Sequence, residues 1–253
     1  MSKTISVHSF RGGTGKSNTS ANLAYLCAAQ GLKVGVVDTD IQSPGIHVLF
    51  GLDEESMETG KSLNDYLWGK CAIEETAHDV TAAVDPSLKG KIFLIPSSIK
   101  AGEIARVLRE GYDVGLLNDG FDALVKNLGL DVLVIDTHPG LNEETLLSIA
   151  ISDILVLIMR PDNQDFQGTS VTVDVARKLD VPNMFLVINK VPPKVNLAKA
   201  KEEAESTYDC EVAAVIPHSD DLMTLASAGI FSRHYPDHEV TKIYRQLAAR
   251  ILA

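Results

Sequence analysis

Short, uninterrupted apolar runs restrict the fold of this chain more than any other feature. "VLVID" at 132–136 and "ILVLIM" at 154–159 show no alternation of apolar and polar residues. A strand with one face in water alternates. A strand covered on both faces reads as a continuous run, which is the habit of parallel sheets. Similar β-branched runs predict strands over Thr4–Ser9, Lys33–Asp38, Lys91–Pro96, Asp131–Asp136, Asp153–Met159, Asn183–Asn189 and Glu211–Pro217. Helical spacing fills the intervals. Val114, Leu117, Phe121, Leu124, Val125 and Leu128 fall three or four apart and make one helix face, and helices also fit Lys16–Gln30, Asn163–Lys178, Asn196–Thr207 and Glu239–Leu252. Strand and helix in alternation predict an α/β fold: a doubly wound, mostly parallel sheet flanked by helices.

The chain has 253 residues, 45% of them hydrophobic, with no internal repeat, low-complexity tract or linker, so 1–253 is read as a single domain. Residues 51–90 are polar and weakly periodic, and short helices and loops are expected there. Lys and Arg number 23 against 34 Asp and Glu, a net charge of −11. That balance opposes strong unaided binding to nucleic acid or to an anionic membrane, while leaving room for a local patch. The three cysteines, Cys27, Cys71 and Cys210, form no C-x-x-C pair. This argues against a zinc site or a disulfide framework and for a reducing compartment. No apolar run reaches the roughly 18 residues of a membrane helix. Arg11 and Lys16 interrupt any signal-like pattern near the start, so the expected location is cytoplasmic.

Between the first predicted strand and the first predicted helix lies "FRGGTGKSN", Phe10 to Asn18. The common phosphate loop is G-x-x-x-x-G-K-[ST]. Gly15, Lys16 and Ser17 fit it, but Phe10 stands where the first glycine belongs, and Gly12 and Gly13 sit inside the loop instead. The physical requirements are met all the same. Glycines let backbone N–H groups turn toward an anion, and the helix start adds partial positive charge. Lys16 is placed for the β- and γ-phosphates and the Ser17 hydroxyl for Mg²⁺.

"RGGTGKS" resembles the deviant phosphate loop, K-G-G-x-G-K-[ST], of the MinD/ParA family of P-loop ATPases, and further family elements recur in order along most of the chain. The resemblance implies ATP and Mg²⁺ as cofactors, a phosphate cradle from Arg11, Gly12, Gly13, Thr14, Gly15, Lys16, Ser17 and Asn18, and an ATP-sandwich homodimer. "VVDTD" matches the family's paired aspartates. It implies that Asp38 supports the metal shell and that Asp40, beside the same metal, orients the attacking water. "LDVLVIDTHPG" resembles the Walker B strand, with Asp136 on the metal side and Thr137–Gly140 as a switch sensing the γ-phosphate. "LVINKVPP" and "VIPHSDD" match the adenine-contacting segments and implicate Asn189, Pro217 and His218. An Asn amide offers both a donor and an acceptor to the base.

One departure concerns catalysis directly. The family places a lysine at position 11, reaching across the dimer to the partner's phosphates, and this chain has Arg11. Arginine is longer, planar and bidentate, so the two are not interchangeable at a tight site. The expectation is that Arg11 works in trans with Lys16 and Asp40 as the catalytic set; the alternatives are Arg160 or Lys190 in its place.

The resemblance implies slow ATP hydrolysis stimulated by an adaptor protein, and its output depends on what the dimer binds. The leading expectation is a ParA-like switch that positions a plasmid, chromosome locus or protein assembly through non-specific DNA binding on the nucleoid. Arg233, Lys242, Arg245 and Arg250 are the main basic residues near the C-terminus, while Lys194, Lys199 and Lys201 are offset by Glu202, Glu203 and Glu205. A MinD-like cell-division regulator bound to membrane is the alternative. It would use the apolar face Val240, Ile243, Tyr244, Leu247 and Ile251. A metabolic ligase of the same superfamily would use the same loop, with His138 as a possible contact. Iron–sulfur relatives are set aside, because no cysteine lies beside Asp136.

Overall fold

A computed structural model describes residues 2–253. The first half runs β1 (Lys3–His8), α1 (Lys16–Ala29), β2 (Lys33–Asp38), α2 (Ile46–Leu49), α3 (Glu54–Thr59) and α4 (Leu63–Leu67). A 3-10 turn at Ile73–Thr76 then leads to β3 (His78–Asp79), α5 (Thr81–Val84), β4 (Lys91–Ile95), α6 (Ala101–Glu110) and α7 (Gly115–Leu128). The second half runs β5 (Val132–Asp136), α8 (Glu143–Ala150), β6 (Ile154–Met159), α9 (Asn163–Lys178), β7 (Asn183–Val191) and α10 (Leu197–Tyr208). It closes with β8 (Val212–Pro217), α11 (Asp220–Leu225), α12 (Phe231–His234) and α13 (Glu239–Leu252).

The eight strands form one sheet in the order β3-β4-β2-β5-β1-β6-β7-β8. Every pairing is parallel except β3 with β4. This is the doubly wound α/β sheet expected from the apolar runs; β5 and β6 are buried at every position. All seven predicted strands are present, with ends shifted by a residue or two. The antiparallel β3 lies in 51–90 and was not predicted; its two residues are too few to carry a period. The helix α6 was likewise missed. Its Ile104, Val107 and Leu108 do fall at helical spacing in the sequence, although only Val107 of its ten residues is buried.

Three apolar clusters cover the sheet. On one face α1, α12 and α13 pack over Ile5, Val7, Val34 and Val156. On the other, α4 and α7 cover Val37, Leu133 and Ile135, and α9 and α10 cover Leu155, Leu157 and Leu186. α1 is enclosed almost all round, and its Ala21, Ala24 and Ala28 are fully buried, their small side chains allowing close packing. Each large side chain so covered contributes roughly 1.5–3 kcal/mol. The apolar face of α13 is spent in this core: Val240, Tyr244, Leu247 and Ile251 are each at most 2% exposed. That helix therefore has no free apolar face to lay on a membrane. Among the described residues no helix is long and apolar enough to cross one.

β1 stands at the centre, hydrogen-bonded to β5 on one side and β6 on the other. The chain winds outward in both directions from it. The carboxyl ends of β1, β2, β5 and β6 thus border the crevice where doubly wound sheets bind ligands.

Candidate nucleotide site

The loop from Ser9 to Gly15 caps the carboxyl end of β1. Gly13 and Gly15 are left-handed, at φ 76° and 103°. At Gly15 a second constraint applies, since a Cβ there would run into the amide of Asn189. Asn189 is buried, and its Nδ2 donates to the Thr14 carbonyl at 2.7 Å, so β7 braces the loop from the side. Lys190, next along, donates from Nζ to the Gly13 carbonyl at 2.8 Å. Ser9 Oγ donates to the Arg11 carbonyl at 2.6 Å and accepts from Lys16 Nζ at 3.3 Å. The loop is thus shaped by the protein alone.

A cleft of about 450 Å³ opens over the loop, lined among others by Gly13, Lys16, Ser17, Asp40, His138 and Lys190. Behind this lining lie two carboxylates that do not themselves border the cleft. Asp38 and Asp136 are register neighbours on β2 and β5, and both are buried. Burial, and then the charge of Asp136, hold the Asp38 carboxyl well above the ordinary carboxylate range. Asp136 is pushed up to about 6 by burial, against the pull of hydrogen bonds from Ser17 and Ser20 and of the Lys16 charge. Burial lowers Lys16 in turn, opposed by Asp136, Asp40 and Asp38. Two adjacent carboxylates held toward protonation form a donor set that a divalent cation would return to its ionised form. Ser17, at the start of α1, adds a hydroxyl. Among the described residues no three His, Cys, Asp or Glu converge into a cage. Mg²⁺ bound with a nucleotide needs none, since it takes phosphate and water oxygens. The residues fit Mg²⁺ in that mode, and Ser17, Asp38 and Asp136 are the groups that would hold it.

Asp40 sits apart from this pair. Its backbone N–H donates to Asp38 Oδ1 at 3.0 Å, while its own Oδ1 lies 2.6 Å from His138 Nδ1 and accepts from the Ser43 N–H at 3.1 Å. Thr137, just past β5, is fixed from β1: its hydroxyl donates to the Val7 carbonyl at 3.0 Å and lies 2.7 Å from His8 Nδ1. Because that hydroxyl hydrogen is used, the network assigns the donated proton to His8 Nδ1. His8 is fully buried and its pKa is lowered to about 3 by burial, then by the Lys16 charge, so the ring is neutral.

Arg11 does not line the cleft. Its Nη1 pairs with Asp165 Oδ1 at 3.2 Å and Asp162 Oδ1 at 3.4 Å, both at the start of α9. Arg160 holds the other oxygen of Asp165 with its Nε at 3.1 Å and its backbone N–H at 2.9 Å. Neither aspartate was singled out from the sequence, although "RPDNQD" after a strand is the kind of acidic helix start that would have drawn attention. Pro217 and His218 close the far edge. The His218 N–H donates to the Val191 carbonyl at 2.8 Å, so the two segments expected at adenine end side by side. Neither Pro217 nor His218 lines the cleft. Asn189 has its amide on Thr14 and its Oδ1 on the Lys190 N–H at 2.8 Å, which leaves one N–H and one lone pair for a base.

Comparison with known proteins agrees with this fold. A family model described as an AAA domain matches residues 2–188. An uncharacterized ATP-binding protein of Methanocaldococcus jannaschii is 25% identical over all of this chain and 88% of its own length. Among solved structures, the septum site-determining protein MinD of Pyrococcus horikoshii OT3, complexed with Mg-ADP, superposes with a TM-score of 0.79 at 21% identity, covering 99% of this chain and 96% of that one. A ParA family ATPase from Chlorobium tepidum TLS gives 0.78 at 16% identity, covering 98% and 99%. The family model makes the chain a member of the AAA domain family, and its fold is that of the MinD and ParA structures it superposes on.

Proposed function

We propose that this protein is an ATP-driven positioning switch. It binds Mg·ATP, dimerises around it, engages non-specific DNA as a dimer, and releases after slow hydrolysis stimulated by an adaptor that links it to its cargo. The observation that carries the reading is the placement of Arg11. Its guanidinium stays outside the cleft lining, 37% exposed and anchored to α9, while Lys16 and Lys190 line the cleft. A cation so placed is positioned for a neighbouring protomer, as an arginine finger is. In this reading Lys16 and the backbone of Gly12 to Asn18 hold the phosphates. Ser17, Asp38 and Asp136 hold Mg²⁺, Asp40 orients the attacking water, and Asn189, Pro217 and His218 border the adenine.

Two observations bear on the surface that the dimer uses. The apolar face of α13 is buried, which removes the face on which the membrane alternative relied. Arg233, Lys242 and Arg245, by contrast, are exposed and in no ion pair among the described residues, whereas Arg250 is matched by Glu211. A dimer doubles this modest patch, and the place of action is then the nucleoid in the cytoplasm.

The test is the light-scattering mass of Asp40→Ala without nucleotide, with Mg·ADP and with Mg·ATP, followed by plasmid DNA at low and high salt. A dimer formed only with ATP, and a DNA shift that weakens steeply with salt, is the expected result. An ATP dimer that ignores DNA and sediments with anionic vesicles would replace this reading with the membrane one. A mass indifferent to ATP would remove the switch altogether.

A further inference from the structure

His138 has no assigned part in the site, yet it makes the tightest contact to the residue assigned to water. The parallel register of β2 and β5 sets Asp38 opposite Asp136. Asp40 lies two residues beyond the first and His138 two beyond the second, so the two side chains meet above the sheet. His138 Nδ1 and Asp40 Oδ1 are 2.6 Å apart, with only 23% and 18% of the side chains exposed. The Ser43 N–H donates to the same oxygen. Asp40 Oδ2 accepts no hydrogen bond from the described residues, and Asp40 faces the cleft.

The histidine is itself held. Thr145 Oγ1 donates to its carbonyl at 3.3 Å, and the Gly140 N–H donates to the Ser9 carbonyl at 3.2 Å. Residues 137–140 are thereby tied to β1 and to the phosphate loop. Asp40, like His138, lies just past the end of its strand, and a carboxylate there without a side-chain partner samples several rotamers.

We propose that His138 is a positioning residue for hydrolysis: it fixes Asp40 Oδ1 so that Oδ2 alone is presented to the attacking water, and it links the Asp40 loop to the switch at 137–140. A hydrogen bond to a charged group, made by a donor on a fixed backbone, supplies the alignment that catalysis by positioning requires. The proposal rests on the reading of Asp40 given above.

The experiment compares the unaltered chain with His138→Ala, His138→Asn and Asp40→Ala. It measures ATP turnover, affinity for a fluorescent ATP analogue, and the imidazole ¹⁵N signals of His138 in the nucleotide-free protein. His138→Ala is expected to lower kcat about tenfold to a hundredfold, the size of one hydrogen bond to a charged group, with KM and nucleotide affinity unchanged. His138→Asn, which keeps a donor near the Nδ1 position, is expected to recover most of the loss. The ¹⁵N signals should show the proton on Nδ1, and Asp40→Ala should abolish that signature. If Asp40→Ala is inactive but His138→Ala is not slowed, or if nucleotide affinity falls together with kcat, the proposal is overturned while the reading of Asp40 stands. A His138→Asn no better than His138→Ala also overturns it. If Asp40→Ala hydrolyses ATP like the unaltered chain, the reading of Asp40 falls and the proposal with it.

Discussion

Arg11 and Asp165 join the phosphate loop to the start of α9 through a 3.2 Å ion pair in which the carboxylate is 2% exposed and the guanidinium 37%. The two ends of this pair are energetically unequal. Without Arg11, Asp165 still has the side chain and backbone N–H of Arg160. Without Asp165, two arginines face each other with only the half-exposed Asp162 between them. Arg11→Ala is therefore expected to cost no more than about 1 kcal/mol of stability while abolishing ATP-dependent dimerisation. Asp165→Ala is expected to cost about 1.5–3 kcal/mol, because the Arg160 side chain and backbone N–H both lose a charged acceptor, and to lower Tm by at least about 3 °C. Calorimetry of the two variants, with light scattering in ATP, checks both. Equal losses of Tm would contradict the asymmetry.

Lys16 is the buried cation of the cleft, set near Asp38, Asp40 and Asp136. Lys16→Ala is expected to reduce ATP turnover about a hundredfold or more, the usual cost of losing one preorganised donor to developing charge. Binding of Mg·ADP should weaken as well, because the phosphates lose a direct partner. Titration calorimetry with Mg·ADP and a phosphate-release assay separate the two effects.

His8 gives the protein an acid-sensitive element with a definite sign. Its pKa is about 3 in the folded chain and 6.5 when unfolded, so the unfolded state binds the extra proton. The stability it contributes is fully present above 6.5 and is lost as pH falls toward 3. At pH 4.5 the loss is roughly 3 kcal/mol. Asp136 acts in the opposite sense, since its folded pKa is raised to about 6. Its contribution is present at low pH and lost as pH rises through 6. The comparison must therefore be made between variants rather than on one curve. His8→Gln should flatten the loss of stability between pH 6.5 and 4.5 relative to the unaltered chain in denaturant unfolding, and parallel curves would show that His8 is not the element.

Asn189 braces the loop at Thr14, and Gly15 leaves it room to do so. Asn189→Ala is expected to weaken Mg·ADP binding by roughly tenfold, about the worth of one buried hydrogen bond, through a loosened loop. If Asn189 also touches the base, the same variant should lose discrimination between ATP and GTP. A Gly15→Ala variant should bind still more weakly, because both the left-handed backbone and the approach of Asn189 oppose a Cβ. Competition binding with the four nucleotides reads all three effects.

Much of the architecture is legible locally. The runs at 132–136 and 154–159 have no polar face, and only a sheet covered on both sides accommodates such segments. The loop and its helix follow from a similar local logic, since Gly13, Gly15, Lys16 and Ser17 are neighbours in the chain. Two elements were missed. β3 is two residues long and leaves no period to detect, whereas α6 carries a helical period in Ile104, Val107 and Leu108 that was overlooked.

By itself the sequence determined the layered α/β class, the phosphate loop and the carboxylates that end β2 and β5. Each of these depends on residues within a few positions of one another, where periodicity and backbone freedom decide. Only the tertiary structure decided which of these groups touch. Arg11 meets Asp165 across 154 residues, and His138 meets Asp40 across 98. Both meetings follow from the strand order, in which β1 lies between β5 and β6, and β5 lies between β1 and β2. That order is set by how the crossover helices pack on the two faces of the sheet, a property of the whole core rather than of any one segment.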